Sequence, residues 1–218
     1  MSMPSAVAGA YVFADRASLS DLQSYLTLAR QADPEAAVRL HALGPVLAAY
    51  VGMLPGRGLS GAGTVLGLRT FALADPVESD NAVPVGAILD RLAWVLGHPE
   101  NDPVIPVPPA SVFVQWAAIT PPRAGWVHAA DVSSDDLLTV ARTGIAQLGA
   151  AGTGLAAQVD ALRARVWGEA IPAAGGAPGG MAFAAYGLRF LVENGSASVH
   201  RSGPWWRLST SAGHVLAR

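Results

Sequence analysis

The sequence predicts an α+β protein, with an N-terminal mixed or antiparallel sheet carrying two helices and a C-terminal helical half closed by a β-hairpin. Three observations lead there. β-Branched and long apolar residues cluster in runs over 38–42, 46–54 and 64–73, bounded by glycine and proline. Apolar residues recur at helical spacing at Leu22, Tyr25, Leu26 and Ala29, at Ile88, Leu89, Leu92 and Val95, and at Leu137, Leu138, Ala141, Ile145 and Leu148. Between the halves, 98–109 holds five prolines in twelve residues.

The first run, 11–14, reads as a short strand ending at Asp15. Ser18 fits a helix N-cap with Asp21 three residues on, and Asp33-Pro34 stops that helix, because the residue before proline disfavours the α region. The three β-like runs follow; the short Gly44-Pro45 gap suggests a hairpin between the first two, and Gly56 to Gly63 a loop before the third. Helical spacing returns over 85–96. The proline run must be extended and solvated. Residues 111–119 and 125–130 read as a strand pair around Pro121-Pro122. Ser133 then opens a helix with Asp136 at the box position, and 155–167 forms a second with Leu155, Val159, Leu162 and Val166 as its stripe. A flexible break at 173–180, a third helix over 181–192 and a hairpin or meander over 197–217 complete the chain. The expected organisation is 1–97, a proline-rich connection at 98–110, and 111–218, two halves equally compatible with one packed domain.

Of 218 residues, 51% are hydrophobic and 14% charged, so the chain buries a core rather than staying disordered. The mean hydropathy of +0.35 owes much to alanine, and an oligomer interface would account for the rest. The longest apolar stretch, 42–54, is too short to span a bilayer, and the N-terminus lacks the positive segment of a signal peptide, so a cytoplasmic location without membrane contact is the expectation. Zero cysteines exclude disulfides and thiolate chemistry. All fourteen basic residues are arginine, which excludes Schiff-base lysines and a Walker-type phosphate lysine. Residues 189–218 carry four arginines against Glu193, a net +3, leaving −5 for the remainder of a chain whose total is −2. That tail is the natural place for an anionic partner.

Gly56-Arg57-Gly58-Leu59-Ser60-Gly61 matches the letters G-x-G-x-x-G, but the dinucleotide reading needs a helix to begin there, and 64–73 is β-like. A glycine-rich hairpin loop fits better. Ser60 misses a nucleophile elbow, because Ala62 stands where glycine is required. His41, His98, His128, His200 and His214 form no local metal spacing, so neither a metal nor a cofactor is expected. Asp131, Asp135 and Asp136 read as helix-dipole complements.

The least generic segment runs from His200 to His214. Gly203-Pro204 makes a turn, and adjacent Trp205 and Trp206 must point to opposite faces of a strand, one to the core and the other outward or under a partner. Two resemblances enter here. A helix, a two-stranded wing and the ending Arg207-Leu208-Ser209 to Ala212-Gly213 make 137–218 resemble a winged-helix module, which would imply DNA binding. Against that, Leu208 lies five residues before Gly213 rather than four, and the segment MAFAAYGLRFL has only Arg189 as a base. The ending Gly203-Pro204-Trp205 through Gly213-His214-Val215-Leu216 is similar to that of an actinobacterial, high-GC protein family to which no activity attaches.

The leading expectation is therefore a non-enzymatic binding or regulatory protein, contacting itself or another protein through Arg189, Arg201, Trp205, Trp206, Arg207 and His214. Nucleic acid is not the expected partner of an acidic, lysine-free chain. The rival is an enzyme or small-molecule binder with a pocket between the halves, built from dispersed residues such as His98, His128 and Asp131.

Overall fold

The computed structural model describes residues 9–58, 60–150 and 156–218. The chain divides into two compact units, one holding residues up to Val51 and Arg69–Ala117, the other Gly52–Leu68 and Ala118–Arg218. The α+β class holds, with strands in antiparallel sheets beside five described helices.

In the first unit, β1 (Ala10–Val12) leads into α1 (Arg16–Ala32). The helix forms because Leu19, Leu22, Tyr25, Leu26 and Ala29 make one buried stripe. Its cap is Asp15, not Ser18: the Ser18 backbone N–H donates to Asp15 Oδ1 at 2.7 Å. Those hydrogen bonds to the charged form, chiefly the one from the Ser18 amide, hold the Asp15 carboxyl below its usual range. The helix stops one residue before Asp33-Pro34 as expected. Its partner α2 (Val85–Gly97) buries Val85, Ile88, Leu89, Leu92 and Val95, and the two helices pack together. The Arg16 guanidinium donates to the carbonyls of Val95 at 2.7 Å and Asn101 at 2.8 Å, capping the end of α2 where helical carbonyls lack partners.

The runs 38–42 and 46–54 are one strand rather than a hairpin: β2 (Ala37–Leu54) passes straight through Gly44-Pro45. Buried positions switch parity there, from Val38, Leu40 and Ala42 to Leu47, Ala49 and Val51, as an inserted residue in a strand requires. Proline is tolerated because β2 is the outermost strand of its sheet and needs no second ladder. The strand after it, β3 (Val65–Pro84), runs eleven residues beyond the expected end at 73. The two carry a buried arginine between them. Arg39, 8% exposed, grips Asp80 with two hydrogen bonds of 2.7 and 2.6 Å, and these raise its pKa.

The proline segment is not wholly solvated. Within it β4 (Val104–Pro106) pairs with β1, and Ile105 is fully buried. Residues 111–119 form no strand; a 3-10 turn (Gln115–Ala118) occupies part of them.

In the second unit, β5 (Val127–Ser133) opens the half and pairs with β8 (Ser196–Ser202), not with 111–119. Ser133 caps α3 (Ser134–Ala150) as expected, accepting from the Asp136 amide at 3.0 Å. α4 (Ala156–Gly168) follows; Leu155, expected to begin its stripe, lies outside the described residues. The supposed flexible break is ordered: β6 (Ala170–Ile171), a 3-10 turn (Pro172–Ala174) and β7 (Ala177–Pro178) bury Ile171, Ala174 and Ala177. The third helix is shorter than its pattern, α5 (Gly180–Gly187), because Arg189 turns into the left-handed region at φ 54°. The Trp167 and Phe183 rings stack at 4.6 Å between these helices. The chain ends in a meander of β8, β9 (Trp205–Ser209) and β10 (His214–Ala217), inside a sheet ordered β2-β3-β10-β9-β8-β5.

The described residues of the GRGLSG segment, 56–58 and 60–61, form a loop and not a helix start: Arg57 and Ala62 bridge antiparallel, and the Gly61 amide donates back to the Gly58 carbonyl. Among the described residues, no helix is long and apolar enough to cross a membrane.

Candidate functional site

Residues opposite one another on antiparallel strands share a face, as do residues two apart along a strand. Cross-strand pairing therefore builds two parallel rows on one face of the C-terminal sheet. One row is His128, His200, Arg207 and Leu216; the next is Asp131, Ser198, Ser209 and His214. His128 and Asp131 stand three apart and would point to opposite faces of a regular strand. A register shift between His128 and Ala130 absorbs the odd residue and returns both to the same side.

The consequences are specific contacts. His128 Nε2 lies 3.1 Å from Asp131 Oδ1, both side chains exposed. The His128 and His200 rings meet edge-on at 5.5 Å. His214 Nδ1 lies 2.9 Å from Ser209 Oγ. The Arg207 guanidinium sits 4.8 Å from the centre of the Trp126 ring, whose indole N–H is anchored on the Pro122 carbonyl at 3.0 Å. Two atoms of this cluster, Arg207 Nε and His200 Nδ1, are enclosed without a hydrogen-bond partner.

The electrostatics follow from that crowding. Burial lowers the Arg207 pKa. Burial, then the charge of Arg207 and the proximity of His128, push His200 below its ordinary value, with Asp131 opposing. Burial, Arg207 and His200 do the same to His214. Among the described residues, the ion pairs of this face leave Arg207 without a carboxylate; the one carboxylate present is taken by His128.

The opposite face carries Val127, Arg201, Trp206 and Ala217 in one row and Ala130, Val199, Leu208 and Val215 in the next. Val199, Leu208 and Val215 are fully buried, as is Ala217, whereas Val127, Arg201 and Trp206 of the first row reach the surface. There the exposed Arg201 lies over the half-buried Trp206 at 5.1 Å, and Val127 beside it is 69% exposed.

The six residues expected to bind are therefore divided by the sheet. Arg207 and His214 belong to the imidazole cluster, and Arg201 and Trp206 to the other face. Trp205, only 4% exposed, is a core residue with Arg218 at 5.8 Å over its ring. Arg189 is exposed just after α5. His98 belongs to the first unit, its Nδ1 2.7 Å from the Trp94 carbonyl. A groove of about 500 Å³ lies within the second unit, lined by Asp131, Ser134, Ser196, Ser198, Ser209 and Thr210, among others.

His200 is the member of the cluster that sequence reasoning passed over. The signal was there. A two-residue turn at Gly203-Pro204, with Gly203 at φ 55°, pairs Ser202 with Trp205 and hence His200 with Arg207. His128 carried no such signal, because its strand pairs across some seventy residues of chain.

Comparison with known proteins gives fold and domain likeness. Two DNA polymerase III β subunits, or sliding clamps, share the fold. The one from Pseudomonas aeruginosa has a TM-score of 0.53 at 12% identity, over 92% of this chain and 62% of that one. The one from Caulobacter crescentus has a TM-score of 0.51 at 12% identity, over 95% and 65%. A further Pseudomonas aeruginosa clamp, bound to griselimycin, has a TM-score of 0.51 at 14% identity, over 96% and 64%. This chain thus spans less than two thirds of those clamps' length. No curated protein matches the sequence. Residues 8–113 match the family model of a domain of unknown function (DUF8010), and residues 121–218 match that of a second one (DUF8185).

Proposed function

We propose that this chain is a non-enzymatic binding or regulatory protein that docks a partner protein, or a second copy of itself, through its C-terminal meander. The observation that carries the reading is the surface row of Val127, Arg201 and Trp206. It combines an apolar side chain, an arginine and a tryptophan at the open end of a rigid sheet, the residue types that anchor interfaces. Stacking on Trp206 holds Arg201 extended, so little side-chain freedom remains to be lost on contact. The fold likeness supports a role of this kind, since the neighbours are named as clamps and as a polymerase subunit.

The test is the molecular mass across a concentration series, with retention of partners on the immobilised protein, for wild type, Trp206→Ala and Arg201→Ala. Loss of association or of retained partners in either variant is the expected result. If both variants match wild type in both measurements, the reading fails.

A second reading has its own observation. The hydroxyl-lined groove contains Asp131, and Asp131 holds His128 at 3.1 Å, an acid–imidazole pair beside a concave polar surface. That arrangement suits a small polar ligand bound within the second unit. Saturable shifts of the Ser196–Ser198 and Ser209–Ser211 amide signals on titration with a polar metabolite mixture would favour it. Winged-helix DNA recognition has no comparable support, since β8, β9 and β10 are strands of a larger sheet.

A further inference from the structure

From the imidazole face of the C-terminal sheet we infer that Arg207, His200 and His214 form an oxyanion-binding site, for a phosphate or carboxylate group. The site goes beyond the docking reading and does not depend on it, because it occupies the sheet face opposite Arg201 and Trp206.

A half-buried guanidinium ordinarily has a carboxylate beside it, because desolvating a charge costs free energy that a counter-ion must offset. Arg207 has instead two imidazoles and the Trp126 ring for company. Its Nε, a donor, and His200 Nδ1 are shut off without partners, so the cluster's own residues leave part of its hydrogen-bonding capacity unfilled. The carboxylate of these rows, Asp131, is bound to His128. Every other polar group on the two rows is a serine hydroxyl, and one of these, Ser209 Oγ, already meets His214 Nδ1. The remaining Nε2 of each imidazole and the terminal guanidinium nitrogens are the donors a ligand oxygen would meet. Rigid β positions hold all three side chains, and the Pro122 carbonyl fixes the ring under Arg207. Such preorganisation is what a charge-assisted site requires.

The groups facing the site fix the direction of its pH response. Arg207 on β9, His200 on β8, His214 on β10 and His128 on β5 are cationic or become so, Arg218 stacks on Trp205 of the same face, and of the described residues in these rows Asp131 alone opposes them. An anion relieves the repulsion among them, so binding strengthens as pH falls and bound anion favours the protonated imidazoles.

The experiment is titration of the full chain with inorganic phosphate and, separately, acetate, following the carbon-bound ring protons of the five histidines by NMR at pH 6 and pH 8. Saturable shifts of His200 and His214 are expected, larger at pH 6, with affinity about tenfold or more weaker in Arg207→Gln. His200→Gln serves as a second variant with the same expected direction, and Trp206→Ala, on the opposite face, keeps wild-type affinity. Response to phosphate alone assigns a phosphate site; response to both anions assigns a general oxyanion site. No saturable shift with either anion, or equal affinity in wild type, Arg207→Gln and His200→Gln, overturns the inference. Trp206→Ala loses association only if the docking reading holds, so the two readings fail separately.

Discussion

At the level of single residues, the buried charges define what the chain tolerates. His200 and His214 sit below their ordinary value of 6.5, chiefly because burial disfavours their charged form. Between the lowered folded values and 6.5, the unfolded chain therefore binds more protons than the folded one. Stability attributable to these two groups is fully present above 6.5 and is lost as pH falls below it. The urea midpoint is expected to drop between pH 7.5 and pH 5.5 in wild type, and to drop less in His214→Gln. A slope identical in both proteins would place the pH dependence elsewhere. Arg39 poses the opposite case. Its charge is matched by Asp80, which is 45% exposed and so partly screened by water. Asp80→Asn should cost about 1–2 kcal/mol in denaturant unfolding, the worth of charge-assisted hydrogen bonds at a site still open to solvent.

Elements, rather than residues, separate what the sequence disclosed from what it concealed. Several local signals held: Ser133 capped its helix, Asp33-Pro34 ended α1, and the Gly203-Pro204 turn fixed the register that joins His200 to Arg207, whereas the cap read at Ser18 lies three residues earlier, at Asp15. Readings that needed a distant partner failed. Gly44-Pro45 has the composition of a turn, yet an edge strand can absorb it, and whether a strand lies at an edge is a property of the finished sheet. Residues 111–119 alternate like a strand and touch β3 through the Val112 amide, which donates to the Ala82 carbonyl at 2.9 Å, but no ladder follows and a 3-10 turn takes over at Gln115. The alanine- and glycine-rich ribbon at 170–178 looked flexible because its order comes from tertiary packing of small residues. Within α3 the same distinction can be measured at two glycines. A methyl group on Gly144 would stand 2.3 Å from the Trp167 ring, so Gly144→Ala should destabilise by about 1–3 kcal/mol through overpacking. Gly149 has open space around it, and Gly149→Ala should be neutral or stabilise by up to about 0.5 kcal/mol through helix propensity. Ser133→Ala, which removes the cap of the same helix, should cost about 1 kcal/mol.

For the molecule as a whole, the fold likeness is silent on nucleic acid and the charge is informative. The chain shares its fold with sliding clamps, but fold alone does not carry function, and 12–14% identity leaves the surface free to differ. Duplex DNA is held mainly by phosphate contacts from basic side chains, and a protein with many such contacts carries a basic face. Here lysine is absent and the net charge is −2. The five described helices together hold six arginines against five aspartates, so no helix layer supplies that face either. The one basic stretch, residues 189–218, spends Arg201, Arg207 and Arg218 on tryptophan rings. Ordinary non-specific DNA binders reach dissociation constants of about 10⁻⁴ to 10⁻⁶ M at physiological salt through phosphate contacts from many clustered basic side chains. Duplex DNA at about 150 mM salt should therefore show no retardation by micromolar protein in a gel-shift or anisotropy measurement. Retention that weakens steeply with added salt would mean that an assembly of several copies concentrates these arginines into a basic surface, and the mass series that tests docking through Trp206 would then have to show that assembly.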